Sequence, residues 1–413
     1  MNETDLVILQ EEAARCLGCK NARCKKHCPI STPIPEVIKL FQEGQIKEAG
    51  EMLFENNPLS AICAIVCPHE NQCYGNCIKG IKDEPIQFYE LERYLSDTYL
   101  DEVNLIAPTP IGKKVAIIGS GPAGITIAFL LGTKGYDITI FEKNSEIGGM
   151  LRYGIPDFRL PGKLLKRLQE QLISLGVKIR YNTLVGPVVT LDRLQADGYD
   201  AIFVGTGVWN PKPLNIKGET LGHVHYAVNY LQSPKSYNLG ERVIVIGAGN
   251  VAMDAARTAK RQGAKEVVVV YRRDFEDMPA TKVEIHEAKE DGVSFMTYEA
   301  PVEITGDGLI TQTTRKIVDE EGRPKVQTVP NSNKLIQADS IIIAVSQIPK
   351  SNIVLSAKDL QINEAGLIVT DEEGHTSKTG VFASGDVVTG ARTVVEAVAN
   401  AKIVASSIET YLS

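Results

Sequence analysis

Cysteine vanishes after Cys77: the 336 residues that follow contain none, in a chain of 413. Long apolar runs are missing as well. Residues 267–270 and 341–345 are typical and fall far short of the roughly 20 apolar residues a membrane-spanning helix needs, so a soluble protein is expected. Residues 1–15 lack a basic start, an apolar core and a small-residue cleavage site, which predicts a cytoplasmic chain and argues against disulfides. No tandem repeat, low-complexity tract or acid–base constellation stands out, and no convincing strand pattern precedes residue 100. With 43% hydrophobic residues the chain has material for about two to three domains with real cores.

The net charge of −7 is unevenly placed. Residues 1–105 carry 17 acidic and 10 basic residues, whereas the remainder holds 34 of each. An acidic surface argues against nucleic acid as a partner and allows docking to a basic protein face; a solvated helical surface is the plain alternative.

What is present is concentrated in residues 16–77, which hold all eight cysteines. Cys16, Cys19, Cys24 and Cys28 form C-x2-C-x4-C-x3-C, with Pro29 directly after. Cys63, Cys67, Cys73 and Cys77 form C-x3-C-x5-C-x3-C, with Pro68 after the second. Dense thiolates suit a soft metal, and the first run resembles the C-x2-C-x2-C-x3-C-P loop of a [4Fe–4S] cubane. In that loop the cysteine before proline serves the other cluster of a pair, so two runs fit two clusters. Zinc would suit C-x2-C pairs, but five of the six spacings within the runs are longer. His27, among the cysteines, reads as a surface residue rather than a ligand.

Residues 1–100 read as helical and irregular: Val37, Ile38 and Phe41 recur at helical spacing, as do Leu91, Tyr94 and Leu95. Residues 104–112, with two prolines and no charge, form a linker. The period then changes. Residues 115–118 are a short strand, Gly119-Ser120-Gly121-Pro122-Ala123-Gly124 is a G-x-G-x-x-G turn, residues 125–131 continue as a helix, and a second strand, 137–141, ends at Glu142. Gly119 and Gly121 let backbone N–H groups approach a pyrophosphate, Gly124 allows close helix–strand packing, and Glu142 can accept from a ribose diol. Residues 241–273 repeat the pattern with Gly247-Ala248-Gly249-Asn250-Val251-Ala252, but their second strand, 267–270, ends in Tyr271-Arg272-Arg273. Arginine there grips a 2′-phosphate that an acid would repel, so this half reads as NADP-binding. Further strands are expected at 201–207 and 338–347, and at 380–386 ending in Gly385-Asp386, with a helix over 394–408.

From Cys16 to the end the chain resembles the electron-input module shared by three proteins. They are the glutamate synthase small subunit, the N-terminal half of dihydropyrimidine dehydrogenase and the large subunit of NADH-dependent ferredoxin:NADP oxidoreductase. The segments that carry the resemblance are N-P-L-S-A-I-C-A-I-V-C-P (57–68), G-S-G-P-A-G (119–124), G-G-M-L (148–151), Y-G-I-P-D-F-R-L-P (153–161), G-A-G-N-V-A-M-D (247–254), Y-R-R and the late G-D. The resemblance implies a multi-domain chain: an N-terminal α-helical iron–sulfur domain (1–105), then α/β tandem Rossmann-like domains. FAD would occupy 106–233 and 348–413, interrupted by an NAD(P) domain at 234–347.

Residue by residue, the resemblance implies that Cys16, Cys19, Cys24 and Cys77 hold one [4Fe–4S] cluster. Cys28, Cys67, Cys73 and the carboxylate of Glu92 would hold the other. Cys63 is left over, in conflict with the arithmetic of eight thiols for two clusters. FAD would take Gly119, Gly121, Gly124, Glu142, Gly149, Arg152, Gly385 and Asp386. NADPH, with NADH possible, would take Gly247, Gly249, Asn250, Val251, Arg272 and Arg273. One departure is visible: the family shows A-x-G-Q-x-P where this chain has A-V-S-Q-I-P, with Ser346 in place of glycine.

The implied activity is oxidation of NAD(P)H at FAD, with electrons passing through the clusters to a separate flavin-containing catalytic subunit. An FMN-bearing, dihydropyrimidine dehydrogenase-type partner is the first expectation; glutamate synthase or ferredoxin:NADP oxidoreductase assemblies are the alternatives. A stand-alone disulfide reductase would need a redox cysteine pair beside the flavin, and a non-enzymatic electron carrier would leave two dinucleotide sites without a purpose.

Overall fold

Helical spacing governs the first hundred residues. Pro35 and Glu36 occupy the first turn of the helix Ile34–Gln42, where proline's missing N–H would have no partner anyway. Val37, Ile38 and Phe41 bury one face of it, packed with Leu53 of Ile46–Asn56 and with Leu91 and Leu95 of Phe88–Glu102. The short helix Ser60–Val66 carries Cys63 inward. No strand precedes Lys114 among the described residues, which in this computed structural model are 3–318, 323–350, 352–357 and 359–413.

The chain divides into two compact units. The first runs up to Arg152, takes in Asp157–Val208 and resumes from Pro349. It therefore holds both the helical segment and a five-stranded parallel sheet. Lys114–Ile118 lies at the sheet's centre between Asp137–Phe141 and Ala201–Val204, with Lys178–Arg180 and Val381–Ala383 outside. Ile117 of the central strand is fully buried, as a parallel strand covered on both faces requires. The helices Pro122–Gly132 and Val394–Leu412 pack together, the second capped by Thr393 and Glu396.

The second unit comprises Tyr153–Pro156 and Trp209–Ile348. Its parallel sheet has the same form: Arg242–Ile246 lies between Glu266–Val270 and Ser340–Ile343, with Ser294–Met296 and Val224–Tyr226 outside. Residues 209–233, expected with the FAD portion, fall in this unit because Val224–Tyr226 pairs with Ser340–Ile343. The expected strand over 338–347 is only Ser340–Ile343. Asp339 instead accepts from the backbone N–H groups of Glu241 and Arg242 at 2.9 and 2.8 Å. Gln347–Ile348 pairs separately with Asn210–Pro211.

The antiparallel sheet of Glu299–Thr305, Gly308–Val318 and Pro324–Gln337 was not expected at all. Its first hairpin turns on the two residues Gly306-Asp307. Its buried face includes Thr311 and Glu299, joined at 2.6 Å, so hydrophobic alternation does not reveal it.

Candidate cofactor sites

The first cysteine loop follows the helix Glu3–Ala14, and Gly18 at φ +56° turns the chain back between Cys16 and Cys19. In the second run a Cβ at Gly75 would stand 1.7 Å from the Glu70 carbonyl oxygen, so only glycine lets the Cys73–Cys77 turn close. These loops line one cavity with Cys16, Cys19, Cys24, Cys73 and Cys77, together with Ile34, Ile38 and Phe88. Burial pushes the Cys16 thiol up and the Cys24 thiol up to about 11, with Cys77 adding to both.

A second group adjoins the first, and Cys73 borders both. Cys73 is pushed up by burial, then by Glu92 and Cys28. Cys67 is raised by its hydrogen bond with Cys63, by burial, and by Glu92 and Cys73. Cys63, 2% exposed, thus adjoins this group. Glu92 is 6% exposed, and burial followed by the Cys63 charge holds its carboxyl well above the usual range. It has no hydrogen bond or ion pair among the described residues. A buried carboxyl left this way is costly unless a cation faces it. The amide Nδ2 of Asn57, 1% exposed, has no oxygen partner and lies beside the Cys63 sulfur, whose ionised form it favours. Thiolates, a lone carboxylate and an N–H donor suit an iron–sulfur cluster. No three such side chains are drawn together for a single metal ion among the described residues; a cubane is several ångströms across and takes one ligand at each iron.

At the first nucleotide turn, Gly119 has φ +96° and a Cβ there would meet the Gly205 carbonyl at 2.7 Å. A Cβ at Gly124 would stand 2.0 Å from the Gly119 oxygen, whereas Gly121 faces open space. Glu142, 3% exposed, accepts from the Ser120 N–H at 3.0 Å, the Ser120 hydroxyl at 2.5 Å and the Asn144 N–H at 2.8 Å. It braces the turn, and carboxylate oxygens have lone pairs left for a diol. Gly149 lies against Gly121, its virtual Cβ 2.9 Å from the Gly121 Cα.

Arg152 is turned to its own chain, donating to Ile147 and Gly162 carbonyls at 3.1 and 3.3 Å and pairing with Glu146. Gly385, φ +75°, sits 3.4 Å by its virtual Cβ from Ala123, and burial raises Asp386 to about 6. The buried Ser384 hydroxyl beside them has no partner. The open space at Gly121 and that orphan hydroxyl fit a dinucleotide.

The second unit repeats the construction. Gly247, φ +121°, would place a Cβ 2.3 Å from the Ala344 oxygen, and Gly249 again faces open space. Asn250 and Val251 open the helix Asn250–Arg261. Arg272 and Arg273 are exposed, and neither side chain has a hydrogen bond or ion pair among the described residues. Their backbone is held by the antiparallel sheet, through Thr314 to the Arg272 carbonyl at 2.7 Å and the Tyr298 N–H to the Arg273 carbonyl at 3.2 Å. Ser346, in the glycine position of the resemblance, has φ +134°. Sequence reasoning gave Ser120, Asn57 and Ser384 no role, although Ser120 and Asn57 lie inside quoted motifs, because their surroundings emerge only in the fold.

Residues 113–401 match the pyridine nucleotide-disulphide oxidoreductase family. The chain belongs to that family. Residues 3–103 match the dihydropyrimidine dehydrogenase domain II, 4Fe-4S cluster family. Over 97% of its length this oxidoreductase is 34% identical to the glutamate synthase [NADPH] small chain of Escherichia coli, covering 91% of that protein. It is also 34% identical to the NAD-dependent dihydropyrimidine dehydrogenase subunit PreT of Salmonella typhimurium, over 97% and 94% of the two chains. Mycobacterium tuberculosis FprA in complex with NADPH shares the fold, with a TM-score of 0.63 over 73% of this chain and 84% of that one at 18% identity.

The oxidoreductase is thus a two-dinucleotide-binding flavoprotein that uses FAD, [4Fe–4S] clusters and NAD(P)H. The disulfide chemistry in the family's name has no thiols here, since residues 113–401 contain no cysteine. No helix among the described residues is long and apolar enough to cross a membrane.

Proposed function

We propose that the chain is the electron-input subunit of a larger reductase, oxidising NADPH and feeding electrons singly to a separate flavin-containing subunit. The supporting observation is that both thiolate groups and the first nucleotide fold are packed into one compact unit, with Phe54 edge-on to Phe129 at 5.4 Å. We assign residues 1–105 to the clusters, 106–208 and 349–413 to FAD, and 209–348 to the nicotinamide nucleotide. FAD supplies hydride acceptance and single-electron release, and the clusters supply single-electron relay.

The chain's own residues do the rest. Cys16, Cys19, Cys24 and Cys77 hold one cluster; Cys28, Cys67, Cys73 and Glu92 hold the other, with Cys63 packed beside it. Gly121 and Gly249 give room to phosphates, Glu142 fixes the first turn, and the free forks of Arg272 and Arg273 select the 2′-phosphate.

The partner is an FMN-bearing, pyrimidine-reducing subunit docking on residues 1–105. The segment is acidic overall, but its first cysteine loop is not: Lys20, Arg23 and Lys26 are exposed there, no acid lies between Cys16 and Cys28, and Leu17 is exposed beside them. That combination favours an acidic rather than a basic partner face. A glutamate synthase assembly is the second reading, favoured by the arginine pair because the relatives named as glutamate synthase small chains are NADPH proteins. The isolated chain should reduce one-electron dyes with NADPH and leave uracil, thymine and glutamine with 2-oxoglutarate unchanged. Conversion of any of these by the chain alone would overturn the input-subunit reading; turnover restored only by a glutamate synthase large subunit would select the second reading.

A further inference from the structure

The C-terminal helix Val394–Leu412 begins beside Gly385 and Asp386, at the first nucleotide turn, and runs on to the helical segment. Lys402 lies eight residues along it, roughly 12 Å at about 1.5 Å per residue. Its half-buried ammonium does not pair with a carboxylate among the described residues. Instead Nζ donates to the Asn56 backbone oxygen at 2.7 Å and to the Asn56 side-chain Oδ1 at 3.0 Å. The Asn56 Nδ2 donates in turn to the Thr32 hydroxyl oxygen at 3.4 Å. Thr32 is 3% exposed, and its hydroxyl stands 3.2 Å from the Cys28 sulfur. A thiolate can only accept, so with Cys28 ionised the hydroxyl proton must point at the sulfur.

Every donor in this row therefore faces the same way, from ammonium to amide to hydroxyl to sulfur. Aligned hydrogen bonds in a poorly solvated interior polarise one another, and the ammonium at the far end strengthens that polarisation. Lys402 is also near enough to feel the Cys28 charge directly. Hydrogen bonds to ligand sulfur and nearby charge are two of the features that set the potential of an iron–sulfur centre. Both favour the more negative, reduced form.

We propose that Lys402, acting through Asn56 and Thr32, is a positioning and tuning residue that raises the reduction potential of the cluster bound through Cys28. A residue on the helix that starts at the FAD site would thereby set how readily that cluster takes an electron. The inference rests on Cys28 being a ligand of the cluster it shares with Cys67, Cys73 and Glu92. Motif letters do not reveal it, because Lys402 lies 374 residues from Cys28 in a stretch with no recognisable signature.

The test is a potentiometric titration of the anaerobically purified holoprotein followed by electron paramagnetic resonance, comparing wild type with Lys402→Met, Lys402→Arg and Thr32→Val. One cluster should titrate at a more negative potential in Lys402→Met and in Thr32→Val, while Lys402→Arg stays near wild type. The other cluster and the flavin should keep their potentials. Unchanged potentials in both Lys402→Met and Thr32→Val, at full iron content, would overturn the proposal. So would a shift in Lys402→Arg as large as in Lys402→Met, since the charge would then be irrelevant. If Lys402→Met loses the cluster altogether, Thr32→Val still reads the effect at the sulfur, and the absence of a shift there overturns the proposal. Cys28→Ala, run in parallel, should abolish or alter one cluster signal. Two intact signals in that variant would instead refute the ligand assignment, and the proposal with it.

Discussion

The two nucleotide-binding halves each rest on a five-stranded parallel sheet of the same form, yet the ends of their second strands are opposite in chemistry. In the first half, Glu142 is buried and ties down Ser120 and Asn144. In the second, Arg272 and Arg273 stand exposed with their side chains free of partners among the described residues. The glycine turns differ as well. Gly119 and Gly247 are both forced by a facing carbonyl, and Gly121 and Gly249 both look into open space. The third glycine, Gly124, is needed in the first half, whereas the second accepts the buried Ala252 at that place. Two separate sheets of one form thus present the same glycine turn, and the residues after the second strand are what differ.

The largest expected effect separates the glycines that shape the fold from those that admit the ligand. Gly124→Val should drop FAD from the purified protein and lower its melting temperature, because a Cβ 2.0 Å from the Gly119 oxygen cannot be accommodated. Gly121→Ala should retain the wild-type melting temperature of the FAD-free protein and still weaken FAD binding. A loss of stability in Gly121→Ala equal to that in Gly124→Val would erase the distinction.

Next in size is the arginine pair. Replacing Arg272 and Arg273 with alanine should raise the KM for NADPH at least tenfold, since each charge-assisted hydrogen bond lost costs roughly 1.5–3 kcal/mol and about 1.4 kcal/mol is tenfold. The KM for NADH should barely move. Steady-state kinetics with both nucleotides checks this, and equal changes would place the arginines on an ordinary surface.

The smallest effect concerns the second half alone. Ser346 holds φ at +134°, where glycine is at ease and serine is strained. Ser346→Gly should recover about 1–3 kcal/mol of backbone strain, visible by calorimetry as a melting temperature higher by roughly 2–4 °C per kcal/mol. An unchanged or lower value would show that this backbone is not under strain.

How much of this could be read from sequence follows from what each segment depends on. Asp137–Phe141 was found residue for residue because β-branched Ile138, Thr139 and Ile140 and aromatic Phe141 form a short strand-like run after the glycine turn and its helix. The cysteine loops were legible because spacing constrains a metal ligand set. The antiparallel sheet escaped because Glu299, Thr311 and Thr314 are buried as a polar network, with Lys334 pairing to Glu299 at 2.7 Å. A polar inner face has no hydrophobic period to detect. The isolation of Glu92 was equally hidden. Its role came from resemblance, but its lack of any hydrogen-bonding partner among the described residues emerges only when the Phe88–Glu102 helix packs.

The claim on which the rest depends is that residues 16–92 hold two cubanes, one through four cysteines and one through three cysteines and a carboxylate. Mössbauer spectroscopy of the iron-enriched, anaerobically purified chain, with iron quantified, tests it most directly. Two [4Fe–4S] clusters should appear as about eight irons per chain, with one iron site distinguished by oxygen ligation that disappears in Glu92→Cys. Half that iron, or stoichiometric zinc in its place, would contradict it.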